Sequence, residues 1–390
     1  MPRLLAVLAA AFAVTAPAVA QEKNTDPEVN GKTMSAWIRD LQSEQNARLR
    51  RVAVASLGEL AQAKRMDFAI VRGVATAVGK ALRNDSAVSV RAQAVEVLGQ
   101  VAEVVLEEKN NDPTSVAIDL AESLRVEKEL DIKRKVASLL GRFRKFGKPG
   151  VAPLTECLKD ADAGLRQAAA DALGRIGDEA RPAVNELLKL LVDKEKGVRA
   201  ATAFALGRVD ADDVNKVAIT IAPLLKSEPE VEVRVELATT LGLLNDRTAP
   251  TFAALAGGLT DKELEVRRRT AQALLRLQTA AKGIEAELKK AVVADADVRV
   301  RMDCLRVLVG AFGDDAKELI PFLSGRLDAV VEKEYEVRVA VAEELGGLGL
   351  NGVPALAALR KAQTDPQIKV REAAGKAIAA VTKAAAPPKK

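Results

Sequence analysis

The chain has 390 residues, with 59 Lys or Arg against 54 Asp or Glu, a formal net charge of +5 and no histidine. Without histidine there is no imidazole base, no imidazole metal ligand and no Ser–His or Cys–His nucleophile pair. Hydrophobic residues make up 48% and charged residues 29%, the balance of a folded chain, yet aromatics are only 3%, so Ala, Val and Leu must carry the core.

The chain opens with Arg3, an apolar run from Leu4 to Val14, and Ala18-Val19-Ala20 before the polar Gln21-Glu22-Lys23. Charged, apolar and small-residue segments in this order are the pattern of an export leader. The run is too short for a bilayer core, which needs about 20 residues. Residues 1–20 are therefore expected to be a signal peptide cleaved after Ala20, placing the protein in the periplasm or outside the cell. Residues 21–30 are expected to be a flexible mature amino terminus. No later segment is apolar for long enough to span a membrane. The small charge excess makes no case for nucleic acid.

From residue 31 onward a ruler appears. Basic residues Arg50, Arg91, Lys133, Arg166, Arg199, Arg234, Arg267, Arg301, Arg338 and Arg371 stand 41, 42, 33, 33, 35, 33, 34, 37 and 33 residues apart. An aliphatic residue precedes each of these anchors, from Leu49 to Val370. Seven residues after each comes another aliphatic, from Leu57 to Ile378. Offsets −1, +3, +4 and +7 form the stripe of an amphipathic helix. Seven units carry Gly at +8: Gly58, Gly99, Gly141, Gly174, Gly207, Gly242 and Gly346. Glycine disfavours a helix interior by about 1 kcal/mol against Ala, so its recurrence marks a close backbone approach or a helix end.

Six residues before every anchor stands an acid: Glu44, Asp85, Glu127, Asp160, Asp193, Glu228, Asp261, Asp295, Glu332 and Asp365. It falls in the turn before the helix, where it can cap backbone N–H groups and reach its own anchor's guanidinium. Asp160 with Arg166, Asp193 with Arg199, Glu228 with Arg234, and Asp261 with Arg267 are read as a structural ladder; loss of Arg199 would then leave Asp193 unpaired. A second apolar segment precedes each acid, with Pro153, Pro182, Pro223, Pro250, Pro321 and Pro354 expected near such helix starts. Each unit is thus helix, turn, helix.

Segments such as residues 160–177 (DADAGLRQAAADALGRIG) and 193–209 resemble the HEAT-like repeats of the phycobilin-lyase type found in many bacterial proteins. The resemblance covers residues 31–382 and implies an all-α, armadillo-type α-solenoid of about ten helix-turn-helix repeats. The Trp-Leu-Gly-Tyr and Thr-Pro-Leu-His patterns of tetratricopeptide and ankyrin arrays are missing. Trp37, on one face with Ile38 and Leu41, is expected to seal the first core layer rather than to stack on a ligand. Residues 383–390, rich in Ala, Pro and Lys, are expected to be a disordered tail.

No nucleotide loop, nucleophile elbow or zinc cluster is present, and no cofactor is expected. Glu107-Glu108, Asp212-Asp213, Asp314-Asp315 and Glu343-Glu344 read as solvated charge. Cys157 and Cys304 read as buried small hydrophobes. The resemblance brings two enzyme readings with it, chromophore handling as in phycobilin lyases and oxidation as in deoxyhypusine hydroxylase. The latter holds its irons through His-Glu motifs that a chain without histidine cannot supply. The favoured reading is a noncatalytic protein-interaction scaffold. Second helices should line the concave face, where Arg142, Arg175, Arg208 and Arg276 at offset +9, with Arg268 and Arg269, form a basic ridge. An acidic segment of a protein partner lying in the groove would suit that ridge, although arginines at helix ends also complement the macrodipole.

Overall fold

The structure, a computed structural model, describes residues 26–65, 67–107, 113–277, 281 and 283–386. The expected leader at residues 1–20 lies outside these residues, as do 21–25 and 387–390. Ten helix pairs follow one another in the order foreseen. They are α1 (Met34–Ser43) with α2 (Ala47–Ala63), α3 (Phe68–Asn84) with α4 (Val88–Glu107), α5 (Thr114–Val126) with α6 (Leu130–Arg142), and α7 (Val151–Cys157) with α8 (Ala163–Ile176). Next come α9 (Val184–Leu190) with α10 (Lys196–Leu206), α11 (Val214–Ser227) with α12 (Val231–Leu244), and α13 (Ala249–Gly258) with α14 (Leu264–Leu277). The last three pairs are α15 (Glu285–Ala294) with α16 (Val298–Phe312), α17 (Ile320–Arg326) with α18 (Tyr335–Gly347), and α19 (Leu356–Ala362) with α20 (Ile368–Ala385). The anchors all fall in the even-numbered helices. The molecule is an all-α solenoid.

The amphipathic stripe explains the core. Residues at +3, such as Ala53, Ala169 and Cys304, and at +7, such as Leu57, Leu173 and Leu308, have no exposed surface. The preceding aliphatic is buried in every unit except the first, where Leu49 is half exposed because no earlier unit covers it. Among the described residues one hydrophobic cluster runs from Trp37 to Ala377. Each layer is closed by its neighbours, as a repeat array requires.

The acid–base ladder is present, but its register differs from the expected one. Each basic anchor except Arg371 in the last unit reaches forward to the acid of the next unit, not back to the side chain of its own. Arg199 donates from Nε and Nη2 to the two carboxylate oxygens of Glu228 at 2.8 and 2.7 Å. Its Nη1 donates to the backbone carbonyls of Asp193 and Lys194 at 2.8 and 3.3 Å. The Asp193 carboxylate is held instead by Arg166, at 2.8 and 2.9 Å. The same link joins Arg50 to Asp85, Arg91 to Glu127, Lys133 to Asp160, Arg234 to Asp261, Arg267 to Asp295, Arg301 to Glu332 and Arg338 to Asp365. The physical reason is reach: own-unit backbone carbonyls occupy one nitrogen of the fork, and the remaining edge points into the next turn.

Every acid has a second duty. In all ten units it accepts the backbone N–H two residues on, from Asn46 to Gln367, at the mouth of the second helix. From the second unit on, one carboxylate thus closes a turn and receives the previous unit's basic side chain.

Glycines at +8 do bring helices together. A Cβ on Gly141, Gly174, Gly242 or Gly346 would stand 2.7–2.8 Å from the Cα of Ala172, Ala205, Ala273 or Ala377. Those alanines all sit at +6 of the next unit. Where that +6 residue is Leu139, opposite Gly99, the backbones stay apart, and only Arg142 comes within 4 Å. The second helices pack on one another more closely than most of the first helices do.

Both ends depart from expectation. Glu28–Val29 (β1) pairs antiparallel with Lys32–Thr33 (β2), so residues 28–30 are not a loose leader to the array. Asn30 and Gly31 make the turn with φ of 50° and 75°, the left-handed pair that suits a two-residue hairpin. Asn30 donates to the Ser56 hydroxyl at 3.1 Å, and the Trp37 indole N–H donates to the Val29 carbonyl at 2.9 Å, so the hairpin and Trp37 cap the first layer. Two-residue strands leave no alternation to read. At the other end α20 continues to Ala385, since alanines favour helix, and the expected tail is helical through that residue. Pro223 falls inside α11 rather than at its start.

Two predictions follow from the register of the ladder. Arg199→Ala is expected to lower the unfolding free energy by about 1–3 kcal/mol by leaving the buried Glu228 unpaired. In urea melts the substitution should couple to Glu228→Ala and far less to Asp193→Ala; the opposite pattern would restore the within-unit pairing. The second concerns pH. Burial acts to raise Asp85, Glu127, Asp193, Glu228 and Asp365, but the arginine fork and backbone N–H groups outweigh it and hold all five below ordinary carboxylate values. A folded pKa below the unfolded one contributes stability above the unfolded value and loses it as pH falls through the folded value. Circular dichroism should therefore hold down to about pH 4.5 and collapse at lower pH, since unfolded carboxylates titrate near 4. A helical signal that stays flat to about pH 2 would show that the ladder adds little.

Candidate functional site

Because the ladder and glycines stack α6, α8 and α10 in register, residues at +9 come to lie side by side at the carboxyl ends of these helices. Arg142, Arg175 and Arg208 occupy that offset in three consecutive units. They line one groove of about 560 Å³ together with Arg144, Leu106, Phe204 and two acids, Glu103 and Glu107, the latter paired with Arg65. A second hollow of about 680 Å³ shares Leu106, Arg142 and Arg144 with it, and adds Phe143, Lys145, Phe146 and Ile176. A third, of about 310 Å³, opens between α4 and α6 beside Gly99, Arg134, Lys135 and Arg142.

Phe204 organises the middle of the groove. It lies over the bare backbone of Gly174, where a Cβ would come within 2.8 Å of its ring. Arg208 stacks on that ring at 3.6 Å from the centroid and donates to the Phe204 carbonyl at 2.9 Å, while Arg175 stands 6.0 Å from the same centroid. Both are cation–π distances. Desolvation lowers the Arg208 pKa, opposed by the charge of Glu236 on α12. One oxygen of Glu236 is buried with no hydrogen-bond partner among the described residues.

The other guanidinia are held to different degrees. Arg142 crosses to α4, donating to Glu103 at 2.8 Å and the Gly99 carbonyl at 3.3 Å. Arg175 donates to Asp171, one turn back on its own helix, at 2.7 Å. Among the described residues neither Arg144 nor Arg208 has a carboxylate within salt-bridge distance. Arg144 adopts φ of 50°, a left-handed backbone that is uncommon without glycine, at the start of the tight turn Arg144–Gly150.

The ridge foreseen from the sequence is therefore only half assembled. Arg142, Arg175 and Arg208 converge. Arg268 donates to Asp297 of the next unit at 2.6 Å and so joins the inter-unit linkage, while Arg269 pairs with Glu265 at 2.8 Å. Arg276 is exposed at the end of α14, cut off from the groove by unit six, whose +9 residue is Leu243. Arg144, Lys145 and Phe204 were not foreseen. Phe204 sits at an offset that is not aromatic in any other unit, which was the one legible hint.

The remaining candidates read as structure. Asp212 pairs with Arg181, and Asp213 caps α11 through the Lys216 N–H. Glu344 corrects the solvated reading: it is partly buried at +6, between α16 and α18, and burial pushes its pKa up against the pull of Arg306. Cys157 and Cys304 are buried and unbridged, and burial raises the Cys157 thiol to about 11 and Cys304 further. Among the described residues no group of three or more Cys, Asp or Glu is placed to hold a metal ion, and no helix is long and apolar enough to cross a membrane.

Comparison with known proteins agrees with this architecture. The HEAT-repeat family profile matches residues 119–207 and again 151–230, so HEAT repeats are found in the chain. An engineered protein of known crystal structure, from a structural genomics consortium, is similar in fold with a TM-score of 0.58 and 18% identity. The match covers 90% of this chain and 98% of that one. No curated protein sequence matches. Matches extend to 357 solved chains, so the architecture is widely shared and singles out no activity.

Gly174→Ala is expected to destabilise the array by about 1–3 kcal/mol, because its methyl would meet both the Phe204 ring and the Ala205 backbone. Thermal melts check this. Gly257→Ala in α13, where a Cβ meets nothing within 4 Å, should melt at or slightly above the parent, since alanine favours the helix.

Proposed function

We propose that the chain is a noncatalytic scaffold that binds a protein partner along its second-helix face. In this reading its HEAT repeats are of the phycobilin-lyase type, and residues 1–20 export it to the periplasm or beyond. The observation that carries the interaction role is the groove at α6, α8 and α10. Four guanidinia line it, two of them without a paired carboxylate among the described residues, and beside it lies a hollow with Phe146 and Leu106 on its wall. Arginine and aromatic side chains are the residues that dominate protein interfaces. The noncatalytic part rests on composition and burial. There is no histidine, and the two thiols lie in the core with raised pKa values, far from the thiolate form that nucleophilic work needs. Export rests on the order of charged, apolar and small residues at the amino terminus.

Photo-crosslinking tests the face. A benzophenone side chain at Ser138, in the hollow between α4 and α6, should yield a discrete protein adduct in the native envelope fraction. The same group at Ile219, exposed on α11, should not. Adducts confined to Ile219 would place the interface on the first helices and overturn the reading. Amino-terminal sequencing of the recovered protein should begin at Gln21; a chain that still begins at Met1 would remove the export claim alone.

A further inference from the structure

The spacing of the arginines says more about the partner than their charge does. Arg142, Arg175 and Arg208 stand at one offset in three consecutive units whose second helices touch through Gly141 on Ala172 and Gly174 on Ala205. Helices in such contact lie about 8–10 Å apart. An extended chain rises about 3.3 Å per residue, so about three residues separate positions that can meet successive guanidinia. The basic run also has defined ends. Unit two carries Gln100 at this offset, and unit six carries Leu243 with Glu236 beside Arg208. Three acids are accommodated, and a fourth beyond Arg208 would face Glu236.

The compartment on the Arg142 side is of different character. Leu106 and Phe146 give the hollow of about 680 Å³ its open apolar surface, with the buried Phe143 and Ile176 behind them and Lys145 and Asp178 also lining it, and Arg142 and Arg144 line both it and the arginine groove. An anionic polymer with no apolar group would leave this compartment empty. A peptide can fill both.

We infer that the groove takes an extended peptide carrying carboxylates at every third position, three in all, flanked on the Arg142 side by a bulky apolar residue that enters the hollow beside Leu106 and Phe146. This deepens the scaffold reading and rests on it. The Arg208 guanidinium, stacked on Phe204 and facing no paired carboxylate among the described residues, is the strongest single anchor. Arg142 and Arg175 exchange an existing intramolecular partner for the peptide.

Fluorescence anisotropy with synthetic probes and the full chain tests the inference. One probe has three Glu at positions i, i+3 and i+6 with a flanking Phe at each end; a second has the same composition with Glu at i, i+2 and i+4; a third replaces both Phe by Ser. The first should bind at least about tenfold tighter than either other. Arg208→Glu and Arg175→Glu, each checked for an unchanged helical circular-dichroism signal, should weaken it by about tenfold or more. Phe146→Ala should weaken the first probe but not the third. Equal affinity for the first two probes would show charge attraction without register and overturn the inference, as would arginine variants that bind like the parent. Tighter binding of a single-stranded oligonucleotide than of the first probe would assign the groove to a different class of ligand. Adducts at Ser138 combined with failure of the spaced peptide would leave the scaffold reading standing and remove only the inferred register. Absence of both would remove both.

Discussion

The structure depends on one interaction made nine times: a basic side chain that holds the carboxylate of the following unit while, in most units, it also closes its own turn. Buried ion pairs contribute little net stability when judged against apolar replacements, because both charges give up hydration. Their value here lies in register. An apolar stripe of Ala, Val and Leu allows a helix to slide or rotate against its neighbour at small energetic cost. A bidentate fork does not, since both oxygens and both nitrogens must meet in one plane. Arg338 with Asp365, nearly inaccessible to solvent, and Arg234 with Asp261 fix the stacking of units that have few large side chains to key into one another.

Local spacing between units is set by a second pair of positions, +8 in one unit and +6 in the next. Gly with Ala lets the backbones touch, at Gly141/Ala172, Gly174/Ala205, Gly242/Ala273 and Gly346/Ala377. Gly99 faces the larger Leu139, and Val309 faces Glu344 across the α16–α18 seam; at both places the second helices pack more loosely. The ladder continues unbroken through the loose seams, through Arg91–Glu127 and Arg301–Glu332. Unit order is thus maintained by charge, while closeness is adjusted by side-chain size.

Much of this was legible in the sequence, and the exceptions have physical causes. The ten units, the alternation of helices and the burial of offsets −1, +3, +4 and +7 all follow from period and residue size, while the +8 glycines left a close approach and a helix end both open, and four of the seven prove to be close approaches to an alanine backbone. The partner of each acid did not. Six residues along one chain and about 27–36 residues along the next turn are equally compatible with a periodic pattern, and only the orientation of the guanidinium decides between them. The hairpin at Glu28–Val29 escaped because strands of two residues carry no period. Glu344 escaped because its neighbour Glu343 made the pair look solvated; only its offset, apolar or small in the other units, could have marked it.

The groove illustrates the same division. Arg142, Arg175 and Arg208 could be named from the sequence because they share an offset, and Arg268 and Arg269 were added to them only by proximity in the chain. Proximity in sequence misled: Arg268 lies one residue beyond an anchor and therefore points, like Arg134 toward Asp162, across the seam to the acid at the next helix start. An offset determines a direction on the helix, so residues that share it face the same way in every unit. Arg144 and Phe146 belong to the seven-residue turn after α6, a turn that recurs after α8, α16 and α18 at Gly177–Ala183, Gly313–Leu319 and Gly349–Ala355. The other three open on a glycine with positive φ, and Arg144 takes the same left-handed backbone without being glycine. The geometry of the groove therefore comes from the array, in its turns as well as its helices, and what sets this stretch apart is residue choice: arginine in place of glycine at the turn's start and Phe146 two residues on. A repeat array offers a similar backbone surface in each unit, and it is the side chains placed on that surface that distinguish this face from the others.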